Sequence, residues 1–374
     1  MKVLHLIYTN AAAGAEKHLL YLLPGLQAQG VECEFICVTG KKTYSNIKHY
    51  SDEMELQGIK TTVFICKNYL DLFFIAKKIN RYIINNNIDF IHSHLFLGDA
   101  IAVIIKTFFN RSVKILSTKH GYREDYLIEY GKGNKKPRKN IYYFISRFII
   151  KRITANIAAS RFIADMYNNL KLGEKKMKFI YHGIQIKKTG EENINIKGFP
   201  KIMIVGRLVK VKGHLFLIEA MPLLLKKFPS LKLLVLGEGN MQSELIKRSA
   251  ELGLSDHIDF VGYQKPENYT PHCQVMVVPS LFEAFGMVFI EAFSLKIPVV
   301  AFNVGAGNEI ITNNETGLLA TPFSSESLAE KIIYLLQHAE ERNKIAENAY
   351  DKFINDFTVE KMVAKTVQWY KSIR

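Results

Sequence analysis

The chain reads as two successive α/β domains, each a mostly parallel sheet covered by helices on both faces. Three observations predict this. Short β-branched runs alternate with longer helical patterns through the first half, the order expected of βαβ units. The alternation lapses near Ile184–Pro200 into polar, Lys/Glu/Asn-rich sequence ending in Gly198-Phe-Pro200, and then restarts. The length of 374 residues suffices for two domains of ordinary size, each with its own core.

In order, the first half offers strands at Lys2–Tyr8, Glu32–Val38, Thr61–Cys66, Phe90–Ser93, Lys114–Thr118 and Ala155–Ala159, with a helix near Ala15–Gln29 and further helical segments between them. Lys2 followed by Val3–Tyr8 and an Ala-rich stretch could be taken for a signal peptide. Its apolar core includes His5 and falls short of an h-region, so a first strand followed by a small-residue loop is the better account. The second half offers strands at Ile202–Val205, Lys232–Leu236, His257–Val261, Val275–Val278 and Val299–Phe302, then helices at Ser324–Gln337 and near Phe357–Tyr370. Both halves are Rossmann-like, with expected borders of 1–184 for the first domain, 185–200 for a linker, 201–356 for the second domain and 357–374 for a terminal helix. Sheets of this kind bind ligands at the carboxyl ends of their strands, so the loops that follow strands are where chemistry is expected.

Composition narrows the classes. No apolar run is long enough to span a bilayer. Cys33, Cys37, Cys66 and Cys273 show neither a Cys-x-x-Cys spacing nor a disulfide framework, which favours a reducing, cytoplasmic setting. The net charge of +15 resides in the first half: residues 1–190 carry 30 Lys and Arg against 14 Asp and Glu, and the remainder carries 20 against 21. Such an excess suits anionic lipid, nucleic acid or plain solubility.

The most informative segment is Pro279-Ser-Leu-Phe-Glu-Ala-Phe-Gly-Met-Val-Phe-Ile-Glu-Ala-Phe-Ser-Leu-Lys-Ile-Pro298. It reads as the end of a strand, a short loop carrying Glu283, and a helix of about ten residues opened by Gly286 and closed before Pro298. Glu283 lies beside the helix N-terminus and Glu291 one to two turns inside. A helix N-terminus attracts phosphate, and carboxylates on either side of a phosphate suit the hydroxyls of a sugar and a ribose. Solvated glutamates on an amphipathic helix would be the plainer explanation. Glu291, however, sits within an almost wholly apolar helix, where a charge needs a partner or a ligand. Upstream, Val205-Gly-Arg-Leu-Val-Lys-Val-Lys-Gly-His214 brings Arg207 and Lys212 to a strand end, where a guanidinium fork and a point charge suit a diphosphate. The loops Gly237-Glu-Gly239 and Val261-Gly-Tyr263 follow the next two strands, and Gly262 and Tyr263 could line a base pocket or merely pack.

The first half lacks the Gly-x-Gly-x-x-Gly fingerprint, although Gly14 still permits a close approach of backbone to phosphate. His120 ends a strand in Lys119-His-Gly-Tyr122. His92 and His94 share a face of one strand without a recognisable third ligand, so no metal is expected. There is no Asp-x-Asp to hold a diphosphate through a divalent ion. Residues Lys135–Arg152 are basic and interleaved with apolar residues. On a helix Ile141, Phe144, Ile145, Phe148 and Ile149 form one stripe, with Arg147, Lys151 and Arg152 near its rim. This fits an interfacial helix or, equally, a core-facing helix with a basic outer face. No RNP-type or zinc module accompanies it, so no nucleic-acid partner is expected.

Taken together, these loops resemble the retaining GT-B glycosyltransferases of family 4, the bacterial group 1 type. The match runs in order through Gly14-Ala-Glu16, His120-Gly121, Gly206-Arg207, Lys212-Gly213, Gly237-Glu-Gly239, the Glu283/Glu291 frame, Pro298-Val-Val-Ala301, Gly305-Ala-Gly-Asn-Glu309 and Thr316-Gly-Leu-Leu319. The loop usually written Gly-Gly-Ala-Glu reads Ala13-Gly-Ala-Glu16 here, and the Gly-Gly-x-Pro-Glu stretch reads Ala306-Gly-Asn-Glu309 without its proline.

The resemblance implies two domains facing each other across a cleft, the terminal helix crossing back to the first, and transfer of a sugar from a nucleotide donor, UDP by preference, with retention. It implies that Arg207 and Lys212 hold the diphosphate, Glu291 the ribose and Glu283 the donor sugar, assisted by amides at Phe285, Gly286 and Met287. His120 would lie against the donor sugar near the reacting centre, and Gly14 would face the phosphates from the other domain. No metal or other cofactor is implied. The expected acceptor is a lipid-linked or polysaccharide glycan at the inner face of the cytoplasmic membrane, with peripheral contact to anionic lipid. A non-hydrolysing nucleotide-sugar epimerase on the same fold, or a catalytically silent binding module, are the alternatives.

Overall fold

Lys2–Tyr8 forms the first strand, β1, with five consecutive buried positions from Val3 to Ile7. A strand buried on both faces is the signature of a parallel sheet covered by helices on each side. The computed structural model describes residues 1–10, 14–68, 70–122, 140–173, 177–188, 190 and 201–373. The chain forms two compact units, Met1–Gly183 with Val359–Arg374, and Ile184–Thr358. Most of the expected linker, residues 189 and 191–200, lies outside the described residues, as do 135–139 of the basic stretch.

In the first unit β2 (Glu32–Gly40), β3 (Lys60–Cys66), β4 (Phe90–His94), β5 (Lys114–Lys119), β6 (Ala155–Ala158) and β7 (Lys178–Phe179) join β1 in a parallel sheet of order β3-β2-β1-β4-β5-β6-β7. The chain order reverses between β1 and β4, which is where such sheets hold ligands. Side chains alternate across the sheet. Ser93 and Ser117 point to one face, where both hydroxyls donate to Asp99 Oδ1 (2.6 and 2.7 Å) and the Lys119 ammonium pairs with the same carboxylate. His5, His92 and His94 belong to the opposite face, together with Phe35, Phe90 and Leu116.

That second face is covered by helices Gly14–Ala28 and Val359–Lys371. The latter buries Val359, Met362, Val363, Thr366 and Tyr370, one stripe at helical spacing. It crosses the first helix at Gly25, where a Cβ would lie 2.5 Å from Val363 Cγ2, so only glycine lets the two backbones approach this closely. Near the chain's end the sequence predicted helix from about Phe357. That helix is Val359–Lys371; it follows Ala339–Asp356, and the two are separated where Thr358 bridges to Ile184 and Ile184 N–H donates to Phe357 O at 3.0 Å.

The second unit has β8 (Lys201–Val205), β9 (Lys232–Leu236), β10 (Ile258–Gly262), β11 (Val275–Val278), β12 (Val299–Phe302) and β13 (Leu318–Ala320) in a parallel sheet of order β10-β9-β8-β11-β12-β13. Two strands, β7 and β13, were not expected. They are two and three residues long, too short to show a periodic pattern. No helix among the described residues is long and apolar enough to cross a membrane.

Helix Ile141–Arg152 settles the reading of the apolar stripe. Its inward face is Tyr143, Ser146, Ile149 and Ile150, whereas Ile141, Phe144, Ile145 and Phe148 are 75, 55, 43 and 49% exposed. Only Ile149 of the expected stripe turns to the core; the other four residues face outward.

Candidate functional site

The site in the second unit follows from its topology. Because β8 and β11 are neighbours, the loops after them meet, although they are about 70 residues apart in sequence. Leu281 N–H donates to Val211 O at 2.7 Å and sews loop 279–286 to loop 206–213. Gly213 makes the contact possible: it has φ +68°, and a Cβ there would lie 1.9 Å from Pro279 O. The neighbouring loops are tied in by Leu208 N–H to Glu238 O (2.8 Å), Gly237 N–H to Gly262 O (2.7 Å) and Ala306 N–H to Glu283 O (2.9 Å). Arg207, Lys212, Gly237, Gly262, Tyr263, Glu283, Phe285, Gly286 and Met287 thus all belong to strand ends, loops or a helix start at the carboxyl edge of one sheet, and Glu291 lies one turn into that helix.

Glu283 is buried, and its Oε1 accepts from both Lys212 Nζ (2.6 Å) and Ser280 Oγ (2.7 Å). The two residues expected to serve different parts of a ligand are therefore an ion pair in this structure. Lys212 keeps partial solvent access, with its side chain 23% exposed, so the pair is open on one side. Arg207 is exposed. Gly286, at φ +84°, caps helix Met287–Ser294, eight residues long and buried from Phe289 onward, with Glu291 in that buried stretch. Phe285 is buried, 6.1 Å between ring centres from Phe357, so its side chain is a packing group. Tyr263 is 73% exposed, which removes the reading that it merely packs.

Two residues here escaped the sequence reading. Ser280 is one: nothing in its sequence surroundings marks it, yet its hydroxyl donates to the Glu283 carboxylate. His214 follows Gly213 at the start of helix His214–Leu225. It is buried, and neither ring nitrogen has a hydrogen-bond partner among the described residues. Burial, with Lys212 nearby, pushes it down to about 4, so it is a neutral donor next to the cationic loop. The signal was its place beside Lys212-Gly213.

Gly14 and His120 belong to the first unit. Gly14 is exposed at the start of helix Gly14–Ala28. His120 has both ring nitrogens engaged: Nε2 lies 3.1 Å from His94 Nδ1, and Nδ1 lies 3.2 Å from His182 Nε2. Burial, with Lys119 adding to it, holds its pKa near 3, so the ring is neutral. The third histidine that the sequence did not supply for His92 and His94 is His5. Nitrogens of these three buried rings lie within 4.8 Å of one another. A single histidine inside an apolar strand gave no reason to single it out.

Comparison with known proteins agrees along the whole chain. Residues 12–188 match the model described as Glycosyltransferase Family 4, and residues 186–352 match Glycosyl transferases group 1. An uncharacterized glycosyltransferase of Methanocaldococcus jannaschii is 31% identical over 53% of this chain and 54% of its own length, so that match spans about half of the relative. The N-acetylgalactosamine-N,N'-diacetylbacillosaminyl-diphospho-undecaprenol 4-alpha-N-acetylgalactosaminyltransferase of Campylobacter jejuni is 26% identical over 92% of this chain and 94% of its own. Among solved structures, Anabaena HepE in complex with UDP shares 20% identity with full coverage of both chains and a TM-score of 0.81, a likeness of fold.

Proposed function

For a chain that belongs to the family 4, group 1 glycosyltransferases, we propose that it moves a sugar from a nucleotide-sugar donor, by preference a UDP-sugar, to a lipid-linked or polysaccharide acceptor, with retention and without a metal. The observation that carries this reading is the meeting of the loop bearing Arg207 and Lys212 with Glu283 and the start of helix Met287–Ser294 at the carboxyl edge of one sheet. A diphosphate needs cations and the positive end of a helix, and Arg207, Lys212 and helix Met287–Ser294 would supply them. Asp-x-Asp, the usual carboxylate pair for a divalent ion, does not occur in the sequence.

In this reading Lys212 leaves Glu283 for the diphosphate when the donor arrives, and the freed carboxylate takes hydroxyls of the sugar. Glu291 takes the ribose. Charge building on the departing diphosphate is then stabilised by Arg207, Lys212 and the helix N-terminus, placed in advance of the reaction. HepE bound to UDP and the Campylobacter enzyme named for a diphospho-undecaprenol acceptor support the donor and acceptor classes. The test is release of nucleoside diphosphate from a panel of nucleotide sugars, with and without chelator, in the presence of polyprenyl-diphosphate glycans. Transfer from a UDP-sugar that survives chelation is expected. Acceptor-independent interconversion of donor sugars, or no turnover of any donor, would remove the reading.

The same proposal places the enzyme peripherally on the inner face of the cytoplasmic membrane. Support comes from the outward Ile141, Phe144, Ile145 and Phe148 together with Arg147 and Arg152 of the same helix, the Arg152 guanidinium lying 3.5 Å above the Phe148 ring. Apolar rings with a cationic rim suit anionic headgroups. In flotation with vesicles containing anionic lipid, the Phe144→Ser/Phe148→Ser variant should lose most of the bound fraction. Equal flotation of variant and wild type would count against the helix as the anchor.

A further inference from the structure

Six of the chain's 11 histidines, His5, His18, His92, His94, His120 and His182, gather in the first unit around the carboxyl ends of β1, β4 and β5. Five of them join end to end. His182 Nε2 lies 3.2 Å from His120 Nδ1, His120 Nε2 3.1 Å from His94 Nδ1, and His94 Nε2 3.1 Å from His5 Nδ1. His5 Nε2 is 3.4 Å from the Tyr370 hydroxyl, which is 2.6 Å from His92 Nδ1, and His92 Nε2 is 2.8 Å from Thr118 Oγ1.

A neutral imidazole has one N–H and one lone pair, so each ring can donate on one side only. Burial holds His5 and His120 at about 3 and the other rings well below 6.5, which keeps all of them neutral near pH 7. Every link between two rings joins an Nδ1 to an Nε2. If one ring carries its proton on Nε2, its neighbour must too, or two N–H groups or two lone pairs face each other. Tyr370 carries the same rule across to His92, since its oxygen accepts from one ring while its hydrogen goes to the other. Only two arrangements satisfy every bond and also give the buried Tyr370 hydrogen an acceptor: all five rings protonated on Nε2, or all five on Nδ1. Tyr370 and Thr118 are buried, so a proton passed inward has no outlet at that end. The chain is therefore a lock rather than a conduit. Titratable neighbours on the surrounding elements are His18 and Glu16 of helix Gly14–Ala28, Lys119 paired with Asp99 on the reverse face, and Cys33 and Cys37 of β2.

We propose that His5, His92, His94, His120 and His182 share one tautomer, and that His94 and His182 are positioning residues that hold the ring of His120 in one tautomer and orientation at the carboxyl edge of the first sheet. The effect expected on turnover rests on the glycosyltransferase reading given above; the shared tautomer does not. The test is NMR of the full-length protein with 15N-labelled histidine rings at neutral pH, where couplings from ring carbons report which nitrogen is protonated. The same nitrogen should carry the proton in all five rings, and opposite tautomers on any two linked rings would overturn the chain.

Tyr370→Phe removes one hydroxyl and keeps the ring packing. Its perturbation should travel past His5 and His92 to His120, leave His18 unmoved, and lower kcat about tenfold at nearly constant donor KM. A perturbation confined to His5 and His92 overturns the coupling, and a shifted chain with wild-type kcat overturns the positioning role. Added zinc sulfate should leave the ring signals in place; selective loss of N–H at His5, His92 and His94 would instead mark a metal cluster and overturn the lock. A wild-type protein that turns over no nucleotide sugar removes the donor reading, while the tautomer pattern still decides the chain.

Discussion

Lys212 and Glu283 carry opposite charges 2.6 Å apart at the seat assigned to the donor, so each limits what the other can do before a ligand arrives. Removing the Glu283 charge separates their roles. Glu283→Gln should lower kcat/KM for a nucleotide sugar by roughly 10²-fold through lost sugar contacts. UDP binding should hold or tighten, because Lys212 is released. A fall in UDP affinity that matched the fall in turnover would show that Glu283 acts on the nucleotide and not on the sugar. Gly213 makes a sharper structural prediction. At φ +68° with a Cβ position 1.9 Å from Pro279 O, Gly213→Ala must push apart the two loops that form the site. It should cost about 2–4 kcal/mol in chemical denaturation, from strain and backbone displacement together. A loss below about 0.5 kcal/mol, within the range of a neutral surface change, would contradict that contact.

At the level of elements, the sequence was legible where punctuation and period agreed. β1, β9, β11 and β12 begin and end where their β-branched runs do, and the frame from Pro279 to Pro298 shows its helix through Gly286 and the closing proline. β7 and β13 were not legible because two or three residues carry no period. Nor was the Lys212–Glu283 pair, since only the adjacency of β8 and β11 brings those residues together. The histidine chain was hidden for a similar reason: its histidines come from two strands and from the segments that follow two others, and Tyr370 of the terminal helix links His5 to His92.

Those rings also set a pH response for the first unit. Each of His5, His18, His92, His94 and His182 is at most 4% exposed and has its pKa lowered by burial. The unfolded chain takes up protons near pH 6.5 that the folded unit refuses, so stability is present above that pH and falls below it. Each ring removes up to about 1.4 kcal/mol per pH unit, a steep loss against a typical domain stability of about 5–15 kcal/mol. Hydrogen exchange should show the first unit opening between about pH 6 and 4.5. Full protection of β1, β4 and β5 at pH 4 would contradict the neutral, buried cluster.

Across the whole molecule, charge and chemistry divide between the two halves. The net positive charge lies in residues 1–190, the part that presents the outward apolar helix Ile141–Arg152, while the second half is close to neutral and holds the cations of the proposed donor seat in one loop. Family membership follows from sequence matches that together run from residue 12 to 352, and the fold likeness covers the full chain. The sugar and the acceptor depend on loop shapes that no short motif records, which is why the family is legible in the sequence and the substrate is not. The claim on which the account turns is that Arg207 and Lys212 form the diphosphate seat. Calorimetric titration of UDP into the wild type and into the Arg207→Ala/Lys212→Ala variant, both in chelator, tests it most directly. Two charge-assisted hydrogen bonds at about 1.5–3 kcal/mol each predict a loss of affinity of roughly 10²–10⁴ in a variant that remains folded. Equal affinity for UDP in the two proteins would contradict the account.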